Sequence, residues 1–182
     1  MRKLKLQTQI SIDGYMAGPN GEMDWMVWNW DDALKDFVHQ LTEPVDTIVL
    51  GHNLAKGFID HWAGAAARDN DWFSNKMVQT PKVVFSRKAD KVTWERTRLS
   101  KGDLSEGINK VKDDNGGDII AYGGSEFVTS LSAANLIDEY NLFVNPTAIG
   151  KGLPVFKEKN KLKLIEALPF QCGITVLKYG KA

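Results

Sequence analysis

Gly116-Gly117-Asp118-Ile119-Ile120-Ala121-Tyr122-Gly123-Gly124-Ser125-Glu126-Phe127 decides how this chain is read. A short apolar run enters a glycine pair, and a helix-compatible segment starts directly behind it. That order brings bare backbone N–H groups up to a phosphate. Glycine permits the tight turn and the close approach, and a helix start supplies unpaired donors and a partial positive charge. The stretch predicts a strand over 118–122 and a helix over 125–134. It also points to a nucleotide ligand at a strand end.

Outward from it, strands and helices alternate. Leu4, Leu6, Ile10 and Ile12 set the period of a first strand over 4–12, and Asp13-Gly14 breaks it. An irregular stretch follows to about residue 29, with Gly18-Pro19-Asn20-Gly21 as a turn signal. Loops of this length inside a compact domain are usually functional. Further apolar strands are expected over 46–50, 81–86, 92–98 and 137–144. Helices are expected from about 32 to 41, 52 to 59, 71 to 79 and 104 to 112. Residues 162–167 and 173–179 close the chain as an antiparallel pair. The pattern predicts one α/β domain over 1–182, a three-layer sandwich. Its sheet is mostly parallel, carries helices on both faces and has antiparallel C-terminal strands at one edge.

Bulk properties narrow the function. Lys+Arg and Asp+Glu both number 23, which argues against a basic nucleic-acid surface. The single cysteine, Cys172, excludes an internal disulfide and a cysteine metal cluster. His39, His52 and His61 share no ligand spacing, so no metal site is expected. The start, Met1-Arg2-Lys3-Leu4-Lys5-Leu6-Gln7, lacks the apolar core of a signal peptide, and no run reaches membrane-spanning length. The expectation is a cytoplasmic protein with neither membrane nor nucleic-acid partners.

Ligands of such sheets bind beyond the carboxyl ends of the strands. Asp13-Gly14, Gly51-His52-Asn53, Ser86-Arg87 and Gly123-Gly124 all fall just past strand ends. Ser86 and Arg87 offer a hydroxyl and a forked cation suited to a ribose phosphate, and Gly123-Gly124 would hold a pyrophosphate. Plain structural readings compete: Gly51 as a turn glycine, Ser86-Arg87 as a polar strand end. The loop before the first helix carries Met16, Met23, Trp25, Met26, Trp28 and Trp30. It reads as a wall for a flat heteroaromatic substrate, as cover for the core, or as a subunit contact.

Ile10-Ser11-Ile12-Asp13-Gly14-Tyr15-Met16-Ala17 with Gly18-Pro19-Asn20-Gly21 resembles the opening of the dihydrofolate-reductase-like superfamily. The nearer likeness is to the branch containing the reductase domain of bacterial riboflavin biosynthesis. Thr47 to Gly51, Lys82 to Arg87, Ile120 to Gly124 and Leu136 to Tyr140 follow in the family's order. The most specific segment runs from Val144 to Phe156.

The resemblance implies a mixed eight-stranded sheet and NADPH as hydride donor. It further implies a small pteridine- or pyrimidine-like acceptor and a homodimer. It places Ala17 near the nicotinamide, and Gly51, His52, Asn53, Ser86 and Arg87 at the adenosine end. Gly123, Gly124, Ser125, Glu126 and Phe127 would wrap the diphosphate, with Tyr122 counted in the same cofactor set. The family commonly shows Gly-Arg-x-Thr where this chain has Gly51-His52-Asn53-Leu54. That departure either counts against NADPH or moves the 2′-phosphate wholly onto Ser86 and Arg87.

Reduction also needs a proton. A carboxylate beside the acceptor ring can raise the basicity of the nitrogen that takes it. The candidates are Asp13, Asp24, Asp31 and Asp32. Asp13 and Asp32 are assigned the catalytic role, and Trp25 and Asp31 substrate binding. For Asp31 and Asp32 the competing reading, and the favoured one, is a helix N-cap. The competing reading is a non-catalytic nucleotide- or pterin-binding module of the same fold, and a third is a dimerising scaffold.

Overall fold

The computed structural model describes residues 1–182. Ten strands and five helices follow in the order β1 (Leu4–Ile10), β2 (Tyr15–Ala17), α1 (Asp32–Thr42), β3 (Val45–Gly51), α2 (His52–Asp69), α3 (Trp72–Gln79), β4 (Lys82–Phe85), β5 (Thr97–Ser100), α4 (Leu104–Asp113), β6 (Asp118–Tyr122), α5 (Ser125–Ala133), β7 (Glu139–Val144), β8 (Leu153–Pro154), β9 (Leu162–Pro169) and β10 (Thr175–Lys181). Eight strands form one sheet in the order β5-β4-β3-β6-β1-β7-β10-β9. Pairing is parallel from β5 through β7 and antiparallel for β10 against β7 and β9.

The central strands are apolar because both of their faces are covered. Successive residues point to opposite faces, so Ile119 and Ala121 join one core while Ile120 joins the other. The first core sets Leu4, Leu6 and Val49 against Ile108 and Val111 of α4 and Val128 and Leu131 of α5. The second sets Ile48, Leu50, Phe143 and Val176 against Leu34, Val38 and Leu41 of α1, Ala55 of α2 and Met77 of α3. Connections from β1 to β3 and from β3 to β4 run one way across the sheet. Those from β5 to β6 and from β6 to β7 run back. Right-handed crossovers therefore put α1, α2 and α3 on one face and α4 and α5 on the other. The three layers expected from the sequence are present.

Charges hold the opposite, amino-terminal ends of the strands. Asp138 accepts the Leu4 N–H at 2.8 Å and pairs with Lys112 at 2.5 Å and Lys181 at 2.8 Å. Arg2 pairs with Asp46, which also accepts the Gly117 N–H at 2.6 Å.

Three local expectations need correction. α2 runs to Asp69 instead of ending near residue 59. Its Gly57 and Gly64 look like breakers but have open space around them, while Phe58 and Trp62 pack on the second core and Ala65 is buried. The strand expected over 92–98 is β5, Thr97–Ser100. Val92 and Trp94 are drawn instead into packing against the second core. The loop after β1 contains β2, which pairs with β8.

Lys82 opens β4, almost wholly buried. It donates to the carbonyls of Val78 at 2.9 Å and Thr80 at 2.6 Å. Burial, with Arg96 adding to it, lowers its pKa from 10.5 to about 8. The unfolded chain keeps this proton up to its ordinary pKa, and the folded chain loses it near pH 8. Between those values the unfolded state binds more protons, so stability rises with pH. The urea midpoint of the wild-type protein should climb across that window relative to Lys82→Met. Parallel pH curves for the two proteins would refute this.

Candidate functional site

The carboxyl ends of β4, β3, β6 and β1 form one rim. Gly51 is level with Phe85, and Val49 with Ala121, so Gly51, Ser86 and Gly123 stand side by side. Gly124 takes φ +108° and provides no side-chain cap for α5. The first helical bond of α5 is Val128 N–H to Gly124 C=O at 3.0 Å. The amides of Ser125, Glu126 and Phe127 precede it and have no partner within the protein.

Close packing explains the other two rim glycines. A Cβ on Gly51 would sit 2.9 Å from Phe127 Cβ, and one on Gly123 would sit 2.9 Å from Met16 Cε. Gly51 is thus the seat of α5 against β3, beyond the turn role open to it in the sequence.

The adenosine-side residues are at the same rim. His52 and Asn53 open α2 and are exposed, with the His52 ring 6.3 Å from Trp94. Ser86 Oγ accepts from the amides of Lys88 at 3.2 Å and Ala89 at 3.0 Å, which leaves its hydrogen free to donate. Arg87 is exposed and carries no ion pair. Ala17 lies in β2, opposite Leu153 of β8. Tyr122 rests against Phe58 at 5.2 Å between ring centres. Its hydroxyl is sealed without a partner, and burial pushes its pKa up.

The carboxylates are placed differently from one another. Asp32 is 95% exposed and pairs with Lys35 at 3.0 Å. Asp31 is the N-cap of α1, accepting from Leu34 N–H at 2.9 Å and from Cys172 N–H at 2.8 Å. Both contacts, Leu34 first, hold its pKa below the usual range. Asp13 accepts from Ser11 Oγ at 2.6 Å, Gly150 N–H at 2.7 Å and Ile149 N–H at 3.2 Å. The Ser11 hydroxyl is the main cause of its lowered pKa. Asp13 thereby latches the turn after β1 to the segment before β8.

The aromatic loop is tied down at two points. Val27 N–H donates to Asn145 Oδ1 at 2.8 Å, and Thr147 Oγ1 donates to the Trp25 carbonyl at 3.3 Å. Trp25 is half-buried and Trp30 stacks at 6.1 Å from Phe143, while Trp28 stays 66% exposed. A depression of about 640 Å³ lies at the far, amino-terminal end of the sheet among Arg2, Lys112 and Gly117. It has no share in this rim.

The sequence model of the RibD C-terminal domain family matches residues 2–176. The chain belongs to that family. The uncharacterized protein YyaP of Bacillus subtilis is 30% identical over 98% of this chain and 94% of its own length. Among solved structures, a Shewanella protein named for riboflavin biosynthesis superposes with TM-score 0.71 at 24% identity, covering 100% of this chain and 99% of that one. A diaminohydroxyphosphoribosylaminopyrimidine deaminase/5-amino-6-(5-phosphoribosylamino)uracil reductase from Thermotoga maritima superposes with TM-score 0.66 at 18% identity. It matches all of this chain, which spans 57% of that longer protein.

Within the RibD C-terminal domain fold, the rim thus carries Gly51 and Gly123, each with a neighbour 2.9 Å from where a Cβ would stand, Gly124 at positive φ, and three amides without a partner. Sequence reading missed Asn145, which is fully buried and bonded to both the aromatic loop and β1. Asn-Pro after an apolar strand signals a turn, but not burial. Met16, read in the sequence with the loop as substrate wall, core cover or subunit contact, is core: it is buried in the first cluster and packs beneath Gly123.

Gly124→Ala should cost about 1–3 kcal/mol, because its φ lies where side chains are strained. Its nearest neighbour, Leu54 Cβ at 3.7 Å, leaves room, so the loss comes from backbone strain and not from a clash. An unchanged denaturation midpoint would refute the assignment.

Proposed function

We propose that this chain is an NADPH-dependent oxidoreductase acting on a small pteridine- or pyrimidine-like heterocycle. The observation that carries this reading is the trio of open amides behind Gly124, at the carboxyl end of a parallel strand. Gly123 to Phe127 would receive the diphosphate. Ser86 and Arg87 would take the 2′-phosphate, one as hydroxyl donor and one as unpaired cation. His52, exposed at the start of α2, replaces the family's arginine there. Ala17 and the loop behind it would border the nicotinamide. When bound, the reduced nicotinamide supplies the hydride, and the protein aligns the two reacting rings and keeps water away. Trp25 and its loop would cover the acceptor. With Asp13 and Asp31 engaged by main-chain amides, the carboxylates with freedom to approach it are Asp32, paired only with exposed Lys35, and Asp24, exposed and without an ion pair; the role is assigned to Asp32. The proposed compartment is the cytoplasm.

Those same engaged carboxylates favour a second reading: a module that binds the dinucleotide without turnover. Oxidation of NADPH with dihydropterins or flavin precursors separates the two. Saturable binding with no oxidation supports the module.

NADPH should quench tryptophan emission saturably and more tightly than NADH. Arg87→Ala should weaken NADPH by about tenfold, the worth of a charge-assisted contact, and leave NADH nearly unchanged. Equal weakening of both would remove Arg87 from the 2′-phosphate, and no signal with either would sink the reductase reading.

We also propose a homodimer joined through β9. This outer strand leaves its edge unpaired, and Leu164 and Ile165 are 53% and 55% exposed on opposite faces. Exposed apolar side chains on an open edge invite strand pairing, although Lys163, Glu166 and a bulge opposite Tyr179 limit it to part of the strand. Light scattering on the wild type should give twice the 20.3 kDa chain mass, and Leu164→Lys with Ile165→Lys should halve it. A monomeric wild type would end this proposal.

A further inference from the structure

Asn145 has no solvent-exposed surface, and both ends of its amide are bonded. Oδ1 accepts the Val27 N–H at 2.8 Å. Only oxygen can accept there, so the orientation of the amide follows from the network. Nδ2 then faces Gln9 Oε1 at 2.8 Å and the carbonyls of Phe143 at 3.1 Å and Ile10 at 3.5 Å. Two main-chain acceptors on that side fix the same choice independently.

The constraint passes on to Gln9. Its oxygen is taken by a donor, so its Nε2 carries two N–H groups that point elsewhere. No acceptor within the protein takes them: the hydrogen bond to Asn145 is the only one Gln9 makes through its side chain. Gln9 is half-buried, next to last in β1, on the sheet face that carries α1. Gln7 is level with Tyr122 of β6, and continuing that register puts Gln9 level with Gly124. An oriented, unpaired amide donor thus stands beside the glycine turn of the rim. Below it, Gln7 Oε1, Asn141 Oδ1 and the Tyr122 hydroxyl lie in one cross-strand row, buried and without partners. The row ends on a charged group: Lys178 is level with Asn141 and pairs with Glu139 at 3.5 Å.

We infer that Gln9 Nε2 donates to a carbonyl oxygen of a flat ring bound at this rim, and that Asn145 is the positioning residue that aims it. This rests on the dinucleotide-and-heterocycle reading given above. Two bound groups offer such an oxygen: the carboxamide of the nicotinamide, and an acceptor ring with a carbonyl.

Gln9→Glu tests it. The variant keeps the reach of the side chain and an oxygen for Asn145, but it replaces the outward donor with an acceptor. NADPH and lumazine serve as probes, each titrated against tryptophan emission. At about pH 8, where a carboxyl is ionised, Gln9→Glu should weaken the recognised probe by about tenfold or more. A loss confined to NADPH assigns the carboxamide, and a loss confined to lumazine assigns the acceptor ring. Binding should return as pH falls through the introduced carboxyl's pKa, because the protonated group again donates. Gln9→Met, which neither donates nor titrates, should stay weak at every pH. A packing defect would show no such recovery. A wild type that binds a probe, with Gln9→Glu binding it equally well, overturns this inference alone. The same holds for a Gln9→Glu loss that acid does not reverse. A wild type quenched by neither probe overturns the reductase reading and this inference with it.

Discussion

A helix must begin, uncapped by its own chain, immediately behind a residue that only glycine suits. That constraint at Gly124 governs the rim. A side chain at the N-cap would offer the first amides a partner, as Asp31, Asp71 and Asp103 do for three other helices of this protein. Here the amides stay open. Such amides cost little where water reaches them, and their worth appears when an anion meets them. Gly51 serves the same end by different means: it admits Phe127, which seats α5 against β3, while Gly123 admits Met16 of β2.

Much of the fold was legible because the physics is local and periodic. Ile119, Ile120 and Ala121 read as a strand covered on both faces, and they divide between two cores. Leu104, Ile108 and Val111 read as a helix face, which is what α4 buries. The failures have equally specific causes. Gly57 and Gly64 lower helix propensity, but tertiary packing of Phe58 and Trp62 carries α2 through them. Trp94 resembles a strand residue because aromatic side chains favour strands, yet a bend delivers it to the core. β2 and β8 are too short for any period to register, and they exist only because distant segments meet.

The site was legible in outline for the same reason. Strand ends announce themselves through glycines, so Gly51, Ser86 and Gly123 could be placed along one edge. What the sequence withholds is which polar side chains are already engaged. Asp13, Asp31 and Asp32 look alike as letters. In the fold one is a latch, one a helix cap and one a solvent-facing ion pair. Asn145 is the converse case, an ordinary turn residue by composition and a buried hub by position.

The rim is also stitched across great distances along the chain. Val27 reaches Asn145 across 118 positions, Gln9 reaches Asn145 across 136, and Asp13 reaches Gly150 across 137. β1 finds both of its sheet neighbours only in β6 and β7, far along the chain. A nascent polypeptide leaving the ribosome therefore has no complete rim until β6 and β7 have followed, and β1 must wait with its edges unpaired. Such a topology favours slow, late assembly of the ligand site, and it makes the interval before β7 emerges the time when this chain most needs protection from aggregation.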